Sequence, residues 1–131
     1  MKSQRGTTAV EFAIIFPLIL LPLLFGIIEF SVMMYDQAMI TNASREGARL
    51  GIVAQSPRVD NSTIQRRVED YCNRYLINFK SGIVPTIEVE RFGDTFGSDL
   101  SVTVRYKYNF LVLPQKILGG DLRAITVMKM E

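Results

Sequence analysis

The chain has 131 residues, enough for one domain of ordinary size and too few for two separate cores. A formal charge of +2, from 15 basic and 13 acidic residues, is too small for a nucleic-acid groove. With no histidine and a single cysteine, Cys72, the usual zinc sets, histidine acid–base chemistry and an internal disulfide are excluded, so no metal site, cofactor or small-molecule substrate is expected and only carboxylate catalysis stays open to an enzyme.

The apolar residues crowd one end: 21 of the 27 positions from Ala9 to Tyr35 are apolar. The first six residues hold Lys2 and Arg5 and no acid, and from Phe12 to Ile28 run 17 residues without a charge. At about 1.5 Å per residue that run spans roughly 25 Å, and its apolar flanks extend it to the roughly 30 Å of a bilayer core. Residues 7–35 therefore read as a transmembrane helix, with Glu29 near one edge. The two leading cations favour a cytoplasmic N-terminus, with the chain beyond residue 35 on the opposite side, periplasmic or extracellular. A secretory signal peptide is the first competitor, but its apolar core is shorter and small residues follow at a cleavage site, which this run lacks. A buried helix of a soluble core is the second; a small domain rarely needs so long an apolar run. Pro17 and Pro22 each remove a backbone donor, a defect that membrane helices tolerate. Glu11, just before the uncharged run, suits the positive end of a helix dipole or the headgroup region.

Its spacing adds a second reading. Gly6-Thr7-Thr8-Ala9-Val10-Glu11-Phe12 places a glycine, four residues, a glutamate and an aromatic between a short basic leader and an apolar helix. This resembles the processing region of type IV prepilins, in which a membrane-embedded prepilin peptidase cuts after the glycine. Together with Phe25-Gly26-Ile27-Ile28-Glu29-Phe30 and Thr41-Asn42-Ala43-Ser44-Arg45-Glu46-Gly47-Ala48-Arg49, the segment resembles the TadE-like family, minor pilins or pseudopilins of the tight-adherence (Flp) pilus. The resemblance covers about a third of the chain. It implies removal of residues 1–6 as a cytoplasmic leader, with Thr7 as the new N-terminus, and assembly roles for Glu11 and Phe12. It also implies a family motif of unknown role at Arg45, Glu46, Gly47, Ala48 and Arg49. The implied partners are the prepilin peptidase, other pilins or pseudopilins, and the assembly platform of the bacterial inner membrane. Phe12 stands where major pilins usually carry tyrosine, and the chain exceeds their length; both point to a minor component. An α-amino group at Thr7 would be mostly protonated at neutral pH, given an ordinary pKa of about 7.7 to 8, and would neutralise a Glu11 carboxylate packed in a low-dielectric filament core.

Residues 36–51 continue the first helix out of the membrane. Ala43, Gly47, Gly51 and Ala54 form a stripe of small residues that allows close approach by another helix or a sheet. Arg45 and Arg49 lie one turn apart, with Glu46 between them. They read either as a solvated face with weak ion pairs or as a contact surface for a partner pilin. A loop containing Pro57 follows. Ser62 and Gln65 then match a capping box, and Ile64, Val68, Tyr71, Cys72, Tyr75 and Phe79 recur at three to four residues, which predicts an amphipathic helix over residues 62–80 closed by Gly82. Cys72 falls on its apolar face, packed in the core or paired between molecules.

From Ile83 the period changes to two. Strands are predicted over 83–92, 99–113 and 122–130, with Val102, Val104, Tyr106, Tyr108 and Phe110 on one face of the second. Glu88 and Glu90 read as solvent-exposed, and Gly93–Ser98 as a turn without the lysine or helix of a phosphate loop. The expected fold class is thus α+β: a long transmembrane helix continuing into a head (36–131) in which the second helix covers a three-stranded antiparallel sheet (83–130). Two functions compete, the processed minor pilin and an unprocessed, signal-anchored periplasmic binding or scaffold module.

Overall fold

The computed structural model describes residues 4–54, 57–78, 82–93, 95–110 and 120–131, with backbone alone at Gln4 and Arg5. Helix α1 runs from Gln4 to Ile52, 49 residues, or about 73 Å. It passes through Pro17 and Pro22 without a break. Helix α2 spans Asn61–Tyr75, and strands β1 (Thr86–Arg91), β2 (Asp99–Lys107) and β3 (Asp121–Lys129) form an antiparallel sheet in the order β1-β2-β3. The α+β arrangement is as predicted.

The two halves of α1 live in different surroundings. From Gly6 to Ile28 its side chains are exposed or half-buried, and from Phe12 onward they are apolar all round. From Glu29 onward one face is covered: Glu29, Asp36, Ile40, Ala43, Ser44, Gly47, Ala48 and Gly51 are buried at steps of three, four and seven. That period is the helical one, so a single stripe faces the head.

The sheet is covered chiefly by α1, and not by α2 as the sequence suggested. α1 lies over β2 and β3, and α2 sits beside it against α1 and β1. The small-residue stripe is the cause. A Cβ at Gly47 would overlap Val68 of α2, and one at Gly51 would overlap Leu100 of β2 and Ile64 of α2. The bare backbone of α1 at these two positions lets a helix and a strand close on it together. Polar contacts fix the register: the Thr126 hydroxyl lies 2.7 Å from the Ser44 hydroxyl, which donates to the Thr41 carbonyl, and Gln37 donates to the Arg123 carbonyl.

The core that results joins Ile40 and Ala43 of α1, Ile64, Val68 and Cys72 of α2, and Leu100, Val102, Val104 and Tyr106 of β2. The alternation predicted for the second strand holds through Tyr108 and Phe110, both buried, but ladder pairing stops at Lys107. Beyond it, Tyr108 donates its amide to the Gly120 carbonyl, and Gly120 approaches Tyr108 so closely that a Cβ would strike the Tyr108 carbonyl oxygen. The predicted strand segment 111–113 and most of the connection after it lie outside the described residues.

α2 starts and stops differently from its prediction. Its N-cap is Asp60, whose carboxylate accepts from the Ser62 amide and hydroxyl, so Ser62 lies inside the helix and does not cap it. It ends at Tyr75 and not at residue 80, because Leu76 turns extended and the Ile77 amide donates to Asp36 Oδ1 at 2.9 Å. A long-range acceptor on α1 takes the amide that a further helical turn would have used. Phe79 and Lys80 lie outside the described residues. The first strand is shorter than predicted, starting at Thr86 and ending at Arg91, where the Arg91 guanidinium donates to the Val59 carbonyl.

Candidate functional site

The residues singled out by sequence fall into two groups on one helix. Gly6, Thr7, Glu11 and Phe12 occupy the first turns of α1 and are exposed, with nothing within 4 Å of the place a Cβ would take at Gly6. Phe12 stacks on Phe16 with ring centroids 5.2 Å apart. Arg45 to Arg49 lie 33 or more positions further along, roughly 50 Å away at the helical rise. The structure does not bring the two groups together.

The block Arg45-Glu46-Gly47-Ala48-Arg49 divides by face. Gly47 and Ala48 are buried in the packing against α2 and β2, while Arg45 and Arg49 point outward. Glu46 pairs with Arg67 of α2 at 3.0 Å, with both side chains well exposed. An exposed pair of this kind contributes only tenths of a kcal/mol. This pair lines an open groove of about 580 Å³ between the two helices, together with Leu50, Val53, Arg49, Arg66 and Asp70.

A third cluster had escaped the sequence-based prediction. Glu29 is 4% exposed and Asp36 fully buried, two turns apart on the covered face of α1. Tyr108 donates its hydroxyl to the Glu29 backbone carbonyl at 3.4 Å, which ties the base of the head to the helix at residue 29. Asp36 accepts from the Ile77 amide through Oδ1, and its Oδ2 is buried without a hydrogen-bond partner. Burial raises the Asp36 carboxyl above its ordinary pKa, the Ile77 amide offsetting part of the shift. Burial, reinforced by the nearby acids, pushes the Tyr108 hydroxyl up to about 12 and also raises Tyr106, which senses Asp36. The signal was present in the spacing: Glu29, Asp36, Ile40 and Gly47 share one helical face, so acids on it had to be buried once that face was.

Other singled-out groups are structural. Cys72 is buried, and desolvation with the Glu69 charge lifts its thiol to about 11, far from the reactive range. Glu88 pairs with Arg105 at 3.2 Å on the exposed face of the sheet.

The helix is long and apolar enough to cross a membrane, is bare for its first half and carries an α+β head on its second, an arrangement consistent with a membrane-anchored, pilin-like protein. Residues 6–49 match a family model described as TadE-like protein, from the glycine of the processing motif to Arg49. The match covers about a third of the chain and suggests a role in tight-adherence pilus systems. It ends within α1, so α2 and the sheet lie beyond it. No curated protein and no solved structure matches the chain.

Proposed function

We propose that the chain is a minor pilin or pseudopilin, cut by a prepilin peptidase between Gly6 and Thr7 and needed for assembly of tight-adherence pili. It sits in the bacterial inner membrane with a cytoplasmic N-terminus and a periplasmic or extracellular head. The single observation that carries this is the bare apolar half of α1. The motif stands at its start, the family match covers it, and none of the 22 residues from Thr7 to Ile28 is buried among the described residues. Such a surface needs lipid first and other apolar helices afterwards, which is the exchange a pilin makes on leaving the membrane.

Within this reading Gly6 serves the cut twice. It offers no side chain to obstruct a protease cleft, and it costs a helix about 1 kcal/mol relative to alanine, which eases the local unwinding that cleavage needs. Glu11 would pair with the Thr7 amine of a neighbouring subunit, and Phe12 would pack in the same helix contact. Removal of Lys2 and Arg5 leaves 13 basic and 13 acidic side chains, so the leader that orients the helix also holds its whole charge excess. The partners are the peptidase, other pilins and the assembly platform. The chain acts by packing and is not an enzyme.

Intact-mass measurement of the protein recovered from membranes tests the processing. The expected product has lost six residues and starts at Thr7, and Gly6→Leu leaves the leader attached. A full-length N-terminus in cells that make pili overturns the proposal. Glu11→Gln should still be cleaved but reduce surface pili; normal piliation by that variant removes the Glu11 pairing.

A further inference from the structure

Three contacts set the depth of the head along α1. Gln37 donates to the Arg123 carbonyl, the Ser44 hydroxyl lies 2.7 Å from that of Thr126, and the Glu131 amide donates to the Ile52 carbonyl, so β3 climbs beside α1 in the same direction. Asp121 lies five residues before Thr126, roughly 16 Å lower at the strand rise, which is level with about residue 33 of α1 at the helical rise. Lys107 pairs with Asp121 in the ladder, and Val84, two residues before Thr86, shares an open basin with both.

The bilayer supplies a second scale. About 20 residues of helix from Phe12 cross the roughly 30 Å of hydrocarbon and reach Ser31, and the headgroup layer adds roughly 5 to 7 Å, which takes in residues 32–36. The surface of α1 agrees. Between Glu11 and Arg45 the only charged residues are Glu29 and Asp36, and the head buries both, so the outward side of the helix carries no charge through that layer. Phe30, Met34 and Tyr35 stay exposed there, and tyrosine is a side chain that favours the interface. The lowest rung of the sheet therefore stands at headgroup depth.

At that depth the open face of the sheet is basic. Its lower two rungs carry Arg105, Lys107 and Arg123 against Asp121, whereas its upper three carry Glu88, Glu90 and Asp99 against Lys129. Arg105 is committed to Glu88 at 3.2 Å, while Lys107 and Arg123 are exposed and in no ion pair among the described residues. These side chains line the basin, about 490 Å³, with Val84 at 61% exposure. One acid, Asp121, faces two uncommitted cations, so balancing the charge takes an anion from outside.

We propose that this lower end of the sheet, Val84 with Lys107 and Arg123, docks on the phospholipid headgroups of the leaflet from which α1 emerges. Val84 meets the edge of the hydrocarbon, and the long stems of Lys107 and Arg123 carry their charges to lipid phosphates. Continuity selects the occupant: the basin lies level with the uncharged flank of the spanning helix, and the acidic upper rungs stand clear of the membrane. The inference rests on anchoring by α1 and is independent of cleavage.

The chain has no tryptophan, so single substitutions report one position at a time in the full chain, reconstituted in vesicles of phosphatidylcholine and phosphatidylglycerol. Val84→Trp and Glu90→Trp both replace exposed side chains and leave the core intact; Glu90 lies four strand residues, about 13 Å, above Thr86. A lipid with a nitroxide quencher on its headgroup is expected to quench position 84 several-fold more than position 90. Adding Lys107→Gln to Val84→Trp should lower the ratio of docked to undocked heads about fivefold, the scale of one cation at an anionic surface. Equal quenching at 84 and 90, quenching at 84 unmoved by Lys107→Gln, or blue-shifted emission at 84 without quenching, as burial against another protein gives, each overturns the proposal. Phe25→Trp with lipids brominated on their acyl chains reports the anchor. Quenching at 25 without quenching at 84 overturns the docking and leaves the anchor standing; no quenching at 25 overturns both.

Discussion

Asp36 carries the sharpest conflict in the molecule. It is fully buried, one oxygen is used by the Ile77 amide, and the other has no hydrogen-bond partner. Its folded pKa is raised above the ordinary 3.8, so the folded state holds the proton more tightly than the unfolded chain. Stability then falls as pH rises from the unfolded value through the folded one, and the whole penalty is present above it. Asp36→Asn keeps an acceptor for Ile77 and removes the ionisation. It is expected to match the wild type near pH 4 and exceed it at pH 7, read as thermal unfolding midpoints of the full chain in detergent micelles across that range. Asp36→Ala, which orphans the Ile77 amide, should lose about 1 kcal/mol. An Asn variant whose midpoint tracks the wild type at every pH refutes the account. Sequence alone placed Asp36 only at the start of the helix extension out of the membrane and gave it no role. The clue was its place seven after Glu29 and four before Ile40. The Gly6 to Glu11 spacing, by contrast, was legible because it lies within seven consecutive residues and depends on no tertiary partner.

At the scale of elements, what could be read depended on whether the deciding partner was local. The β2 alternation was legible through Phe110 because its period of two reports which face is buried, whatever buries it. The end of α2 was not, because Asp36 of α1 decides it from 41 residues away. Nor was the cover of the sheet, since a stripe of glycine and alanine permits close approach without naming who approaches. The N-cap of α2 was misread by two residues, where Asp60 and Ser62 are both competent caps and only geometry chooses. The Ser62 hydroxyl, and then its amide, hold the Asp60 carboxyl below its ordinary pKa. The cap therefore contributes above the unfolded value and is lost as pH falls through the folded one. Asp60→Asn keeps an acceptor that does not titrate, so its unfolding midpoint should lose less than that of the wild type on acidification below pH 4. Asp60→Ala should lower the midpoint at neutral pH and flatten the same acid dependence. Equal acid sensitivity in all three proteins would show that this cap plays no part in it.

Over the whole molecule α1 is one helix under two sets of rules. From Phe12 to Ile28 the helix is apolar on every side and, among the described residues, none is buried against the head, so its rotational phase is free as far as those contacts are concerned. Above Glu29 a single stripe is locked between α2 and the sheet, with Gly47 and Gly51 at points where no side chain fits. Inserting two alanines turns the two flanks of a helix by about 200° relative to each other and separates them by about 3 Å. Placed after Leu24, the insertion should leave the unfolding midpoint of the head unchanged, because no buried contact crosses that point. Placed after Ile40, it carries Gly47 and Gly51 away from Val68 and Leu100 and sets bulky side chains against them, and the head should fail to fold. The first insertion also separates the two uses of the helix. If the lower half only anchors the chain, surface pili persist; if it packs by face against other pilin helices, with Glu11 aimed at a neighbour's amine, pili are lost from cells whose protein is folded, inserted and cleaved. The loss is the expected outcome, and electron microscopy counts of surface pili beside the unfolding midpoint decide it.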